Sequence, residues 1–136
     1  MFLYQHHRLY RRKILIASFL LPVILMACYF AYRQMTPFGK SSLLTVDLGQ
    51  QYVDFFSYLR NTILHHPSSF FYSFSKGLGG EMFGTNAYYL LSPLNLILLF
   101  FPAQHLATGI TIVILVRYGL AGLSFAWLMQ KTDLQQ

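Results

Sequence analysis

Two long apolar stretches on either side of a more polar middle section set the pattern of the chain. Residues 14–32 form an uninterrupted apolar run of about the length that crosses a hydrocarbon core as a helix. Residues 106–130 form a second apolar run that is also long enough to cross the bilayer. This run contains small residues that allow close helix contact, namely Gly109, Gly119 and Gly122. The pattern therefore predicts at least two transmembrane helices.

A shorter apolar stretch, residues 87–102, precedes the second run. It is short for a span, and Ser92, Pro93 and Asn95 interrupt it. It therefore fits a short membrane helix, a re-entrant segment or an interfacial segment. If it spans, the tail at residues 131–136 lies outside the cell; if it does not, the tail lies inside, as the distribution of basic residues prefers. We expect two or three spans and favour three.

The low charge content places the chain among membrane proteins. Only 10% of its residues are charged, against roughly 25% in ordinary soluble domains. A net charge of +6 is compatible with nucleic-acid binding, but four cations are packed just ahead of the first run: Arg8, Arg11, Arg12 and Lys13. Such a cluster marks the cytoplasmic end of a span. We therefore predict an all-α integral membrane protein that binds no nucleic acid, with a cytoplasmic segment 1–13 and an external loop 33–86.

The first apolar run also resembles the start of a secretory signal. It has no small-x-small cleavage site near its end. The residues Leu25–Cys28 resemble a lipoprotein cleavage box, but Met26 fits poorly and Cys28 is followed by Tyr29 instead of a polar tether. We interpret the run as an uncleaved span. Cys28 is the single cysteine of the chain, so it cannot form an intramolecular disulfide.

One segment of the external loop, residues 47–66, has the pattern of an amphipathic helix. Asp47 and Gln50 form a capping-box arrangement with aspartate in the capping position. Because His66 precedes Pro67, the helix is expected to end there. Apolar side chains recur at helical spacing on one side, at Tyr52, Phe55, Phe56, Leu59 and Ile63. Polar ones recur on another, at Asp47, Gln51, Asp54 and Tyr58.

Two further patterns follow this helix in the external loop. Residues 70–74 alternate enough to form a short strand or an aromatic skirt at the membrane interface. Lys76–Gly80 contains three glycines, which suits either a plain turn or a loop whose amides approach an anion. Composition favours the turn, and the spacing does not match a nucleotide-binding loop.

Arg117 lies near the middle of the second long run. A cation there costs roughly 3 kcal/mol on insertion scales, so we expect it to face other helices or a wet cavity. The adjacent histidines His65 and His66 point in different directions from a helix end, and we predict no metal site.

Several segments in order resemble the amino-terminal part of the bacterial YfhO family of polytopic membrane proteins. The likeness rests on Asp47-Leu48-Gly49-Gln50-Gln51-Tyr52, on Ser73-Phe74-Ser75-Lys76-Gly77-Leu78-Gly79-Gly80, on Tyr88-Tyr89-Leu90-Leu91-Ser92-Pro93-Leu94-Asn95-Leu96 and on Gly119-Leu120-Ala121-Gly122-Leu123. That family is similar to the GT-C glycosyltransferases, which carry a catalytic acidic residue in the first external loop and use a polyprenyl-phosphate sugar donor. Family members are far longer, so the resemblance implies a fragment, the first part of a GT-C-like polytopic fold in the bacterial cell membrane.

The resemblance implies a function for the parent protein. It would transfer a sugar from a polyprenyl-phosphate donor to a cell-envelope glycopolymer, such as teichoic acid, on the external face, without a metal or another cofactor. Asp47 would be the catalytic base, assisted by Asp54. The substrate-binding residues would be Lys40, Gln51, Arg60 and Lys76.

The resemblance also bears on partners and on what this chain can do by itself. The chain would contact membrane lipid and either missing downstream helices or a second copy of itself, and alone it would be inactive. The alternative is a non-enzymatic accessory or transport subunit. Its working surface would be Arg117 and the glycines of the last helix.

Overall fold

The computed structural model of the chain describes residues 2–132, with side chains from residue 10 onward. The end of the predicted tail, residues 133–136, lies outside the described residues. The chain divides into two compact units, one formed by Met1–Gln34 with Ile114–Gln136 and the other by Met35–Val113.

The first unit is built from two long helices. Helix α1, Phe2–Tyr32, passes through Pro22 without a break, and it begins well inside the segment predicted as a basic cytoplasmic terminus. It ends at the residue where the predicted span 14–32 ends. The later part of a second long helix, Leu106–Thr132 (numbered α4 in chain order), completes the unit.

A glycine of α4 lies directly against the backbone of α1. A Cβ atom on Gly122 would collide with the carbonyl oxygen of Ser18, and one on Gly119 would lie 2.6 Å from the ring of Phe19. Pro22 has no N–H, so the carbonyl of Ser18 four residues earlier loses its usual helical donor. Gly122 therefore permits close backbone approach at the point where proline has freed that carbonyl, and the predicted use of glycine for helix contact applies here.

The second unit is organised around a helix that begins at Asp47. Its first turn, Leu48–Tyr52, is a π turn, and it continues without interruption as α2, Val53–His65. The helix ends before Pro67, as the sequence predicts. Its buried face contains Phe56, Leu59 and Thr62. Ile63, expected on that face, is 38% exposed, and Thr62 takes the buried position instead.

A short β-hairpin follows a 3₁₀ turn at Pro67–Phe70. Strand β1, Tyr72–Ser73, pairs antiparallel with β2, Gly80–Glu81, in the register Tyr72 with Glu81 and Ser73 with Gly80. Of the two alternatives for residues 70–74, the short strand therefore forms, over two residues, and the predicted glycine turn closes the hairpin. The sequence did not predict the second strand, β2.

The third apolar stretch is sharply bent. A one-turn helix, α3 at Phe83–Thr85, continues into a second π turn, Asn86–Leu90, and a 3₁₀ helix at Pro93–Phe100 leaves it at 93°. The bend falls where Pro93 holds Ser92 in an extended conformation with ψ 128°. The buried Asn95 side chain stabilises the bend, because its Nδ2 donates to the carbonyl of Leu90 at 2.9 Å.

The architecture is helical, as predicted, with the hairpin as a small addition. Within residues 2–132, two helical stretches, Tyr10–Tyr32 and Ala103–Thr132, are long and apolar enough to cross a membrane. The two arms of the bent stretch, Phe83–Leu90 and Pro93–Phe100, would form a third crossing if they count as one span. A re-entrant segment was one of the three expectations for residues 87–102.

Candidate functional site

The side chain of Asp47 is exposed and plays no part in capping the helix that it begins. The first amides of the helix are bonded to other carbonyls: Leu48 N–H donates to Thr45 O at 3.2 Å, and Gly49 and Gln50 N–H donate to Val46 O at 3.1 and 3.0 Å. Asp47 itself has helical backbone angles, and its carboxylate makes no capping hydrogen bond. The predicted capping box is therefore wrong.

The residue before Asp47 has an uncommon backbone conformation. Val46 has φ 49°, which a β-branched residue rarely adopts, and its side chain is 73% exposed. The chain approaches itself closely here, because a Cβ on Gly49 would lie 2.6 Å from the carbonyl oxygen of Leu44. Strained residues of this kind cluster at ligand-binding and active sites. The tight turn holds Asp47 at the start of the helix with its carboxylate in solvent.

The π turn separates the polar residues that the sequence placed on one face. A π turn holds one residue more than an α turn, so it rotates every later side chain by about 100° relative to the earlier ones. Asp54 and Tyr58, after the π turn, line a common pocket. Asp47 and Gln51 do not contribute to its wall, and both are exposed. The single polar face predicted from a uniform helix is therefore two separate groups.

The pocket that contains Asp54 lies entirely within the second unit and has a volume of about 420 Å³. It combines a carboxylate and an ammonium group, from Asp54 and Lys76, with hydroxyl groups and an apolar floor. The lining residues are Asp54, Phe55, Tyr58, Ser75, Lys76, Met82 and Thr85. Such a mixture of an aromatic wall with a few polar groups is typical of a binding site for a small polar molecule.

Lys76 is held in place by the hairpin and the residues after it. Its Nζ donates to the carbonyl of Glu81 at 2.8 Å and lies 3.4 Å from the hydroxyl of Thr85. The carboxylate of Glu81 accepts a hydrogen bond from the amide of Gly84 and so fixes the start of the following helix. Two of the three ammonium protons are thereby used, and the third can reach a ligand.

An aromatic cluster and one hydroxyl fix the part of the pocket wall that α2 contributes. The ring of Tyr89 packs against Tyr52 and Phe55, with centroid distances of 5.2 and 5.1 Å. The hydroxyl of Tyr58 donates to the carbonyl of Ser69. Because the proton of that hydroxyl is already used in this bond, the hydroxyl can only accept a hydrogen bond from a ligand.

The remaining predicted binding residues lie elsewhere. Arg60 is half-buried, and its Nε donates to the carbonyl of Phe101 at 2.7 Å, which joins α2 to the end of the bent segment. Lys40 is exposed in the segment before the helix and does not line the pocket. Among the six residues predicted for the site, the structure therefore brings together only Asp54 and Lys76.

Asn86, which was not among the predicted site residues, is fully buried. Its Nδ2 donates to the carbonyl of Phe70 at 2.8 Å, while its Oδ1 accepts no hydrogen bond within the described part of the chain. Asn86 opens the second π turn and follows the pocket residue Thr85. The signal available in the sequence for such a buried residue was an amide side chain between a glycine-rich segment and an aromatic one.

Two other expectations concern charged or metal-binding side chains. Arg117, expected to face other helices or a wet cavity, is exposed on α4. Within residues 2–132, no group of three or more histidine, cysteine, aspartate or glutamate residues is placed to hold a metal ion.

The comparison with protein families matches the chain over most of its length. The model for the family described as bacterial membrane protein YfhO matches residues 18–136. The chain belongs to the YfhO family. No curated protein and no solved structure matches it significantly. As a YfhO protein with two candidate spanning helices, it is a multi-pass protein of the bacterial membrane. The YfhO match includes Asp47 and every residue that lines the pocket.

Proposed function

We propose that this YfhO protein takes part in transferring a sugar from a polyprenyl-phosphate carrier to a cell-envelope glycopolymer on the external face of the membrane. The observation that carries the proposal is the carboxylate of Asp47. It is exposed, it makes no capping bond, and it follows a valine with φ 49°. A structural role in capping was the competing explanation for this aspartate. With that role removed, a functional one gains support.

Asp47 acts as the general base in this proposal. Its carboxylate takes the proton from a hydroxyl of the acceptor polymer as that oxygen attacks the anomeric carbon of the sugar. The new bond joins the acceptor oxygen to the anomeric carbon, and the bond from that carbon to the carrier phosphate breaks. The phosphate leaves with the electron pair, so cations near the membrane surface stabilise it.

The pocket of Asp54 and Lys76 binds the polar part of a substrate. The Asp54 carboxylate accepts hydrogen bonds from sugar hydroxyls, and the remaining proton of Lys76 reaches either a hydroxyl or a phosphate oxygen. Lys40 is exposed before the helix and is available as a second phosphate contact, and Gln51 as a further polar one. Arg60 contributes by holding α2 to the carbonyl of Phe101.

The proposal is tested in a bacterial strain that lacks its own copy of the gene and is complemented with the intact protein. The sugar content of the purified envelope polymers is measured for the Asp47→Asn variant. Asn61→Ala, an exposed change on α2, is the control. We expect the control to restore the sugar and Asp47→Asn to leave it absent, at equal protein abundance in the membrane. Normal sugar content with Asp47→Asn would remove Asp47 from the mechanism. Normal content in the strain without the protein would favour the accessory or transport function.

A further inference from the structure

The tip of the β-hairpin presents two large apolar side chains to its surroundings. Leu78 is fully exposed, at 101% of its reference area, and Phe74 is 79% exposed. Both lie in the loop between β1 and β2, on either side of Lys76. A folded chain gains nothing from extending leucine and phenylalanine into water, and exposed apolar groups placed together mark an interaction surface. We call Phe74, Lys76 and Leu78 the hairpin tip.

The backbone holds the hairpin tip in a defined shape. Gly77 and Gly79 have φ values of 61° and 112°, which side chains rarely permit, and Gly79 N–H donates to the carbonyl of Lys76 at 3.0 Å. The ring of Tyr72 packs edge-on against Phe74 at 5.4 Å. A Cβ on Gly79 would collide with the hydroxyl of Tyr72. The turn, the ring pair and the missing side chain together fix the direction in which the tip extends.

The hairpin tip carries one cation and no acid. Residues 70–80 contain Lys76 and no acidic residue. The carboxylate of Glu81, which follows in β2, accepts from the amide of Gly84, and that of Asp54 lies in the pocket that Lys76 also lines. A cation flanked along the chain by apolar and aromatic side chains matches the order of groups at a bilayer surface, with anionic headgroups above hydrocarbon. Aromatic side chains also prefer that interface.

We propose that the hairpin tip inserts into the interfacial region of the bilayer, with Phe74 and Leu78 among the upper acyl chains and Lys76 at the level of anionic headgroups. The lipid surface is favoured as the occupant because the unit that carries the tip is joined at both ends to helices able to cross the membrane. This docking does not depend on the proposed catalytic activity. It has a consequence for it, since Ser75 and Lys76 line the pocket and would be held at headgroup level.

The test places a fluorescent reporter at the tip of the intact protein, reconstituted in vesicles of phosphatidylcholine and phosphatidylglycerol. Trp127, the single native tryptophan, is replaced by phenylalanine. Leu78→Trp then reports on the tip, and Ser68→Trp reports on an exposed polar position of the same unit. Vesicles are prepared with and without lipids brominated near the top of the acyl chains, since bromine quenches tryptophan only at close range.

We expect brominated lipid to remove most of the emission of Leu78→Trp and little of that of Ser68→Trp. Phe74→Trp should respond as Leu78→Trp does, which guards against an artefact at one position. Equal quenching of Leu78→Trp and Ser68→Trp would overturn the proposal. So would a tip tryptophan that is shielded from aqueous acrylamide yet not quenched by brominated lipid, because that result would indicate a protein surface as the occupant.

Discussion

The ring of Tyr52 meets the ring of Tyr89 edge-on, with their centroids 5.2 Å apart and their planes at 82°. Tyr52 ends the first π turn and Tyr89 lies in the second, so this contact joins the two irregular turns of the unit. Phe55, which also packs against Tyr89, forms part of the pocket wall. The position of the pocket therefore depends on how these two π turns pack together.

Removing the ring of Tyr89 should loosen this contact. An aromatic pair contributes about 0.5–1.5 kcal/mol beyond the area that it buries, and Tyr89 makes three such pairs, with Tyr52, Phe55 and Tyr88. We expect Tyr89→Ala to lower the unfolding temperature of the detergent-solubilised protein. Phe100→Ala is the control, because Phe100 is an aromatic residue of the same unit and is 87% exposed. Equal losses for both variants would show that the contact with Tyr52 is unimportant.

The start of the helix shows where sequence reasoning succeeds and where it stops. The end of α2 was predictable, because Pro67 excludes helical geometry from the preceding residue. The π turn was not, since the polar spacing of Asp47, Gln51 and Asp54 assumes a uniform helix, and only backbone packing decides where a turn gains a residue. For the same reason the sequence placed Asp47 as a cap, although the carbonyls of Thr45 and Val46 already accept from the first amides.

Contacts between residues far apart in the sequence could not be predicted from local patterns either. The glycines of α4 predicted a close helix contact, but not that Gly122 would meet Ser18. The glycine turn was expected, while the pairing of Tyr72 with Glu81 depends on folding of the whole hairpin. Arg60 was predicted to bind substrate, and its bond to the carbonyl of Phe101, 41 residues away, could not be predicted from the local pattern.

A side chain at Gly122 should separate α4 from α1. Any Cβ there collides with the carbonyl of Ser18, which is backbone and cannot rotate away. Forcing a larger residue into a close contact typically costs about 1–3 kcal/mol. We expect Gly122→Val to reduce thermal stability and increase proteolysis of the protein in membranes. Ala121→Val, one residue away at an exposed position, should leave both unchanged; if it does as much harm as Gly122→Val, the loss comes from β-branching in the helix.

Asn95 should be required for the sharp bend between the two arms of the third apolar stretch. Asn95→Leu removes the donor to the carbonyl of Leu90 and leaves that buried group unsatisfied, which typically costs about 1–3 kcal/mol. The variant should be less stable, and a pair of spin labels on the two arms should show a wider distribution of distances. Leu96→Ala, at a half-exposed neighbour, is the control. An unchanged distribution with Asn95→Leu would place the cause of the bend in Pro93 alone.

The two carboxylates of the helix, Asp47 and Asp54, have different roles in the proposed mechanism, and transfer kinetics measure that difference directly. The intact protein is reconstituted with a polyprenyl-phosphate sugar donor, and the rate of sugar transfer is followed as donor concentration varies. A missing general base lowers kcat by about 10²- to 10⁴-fold, so Asp47→Asn should show that loss with KM little changed. Asp54→Asn should raise KM and retain most of kcat, because Asp54 lines the pocket. Near-normal kcat in Asp47→Asn together with abolished transfer in Asp54→Asn would contradict the account and place the base in the pocket.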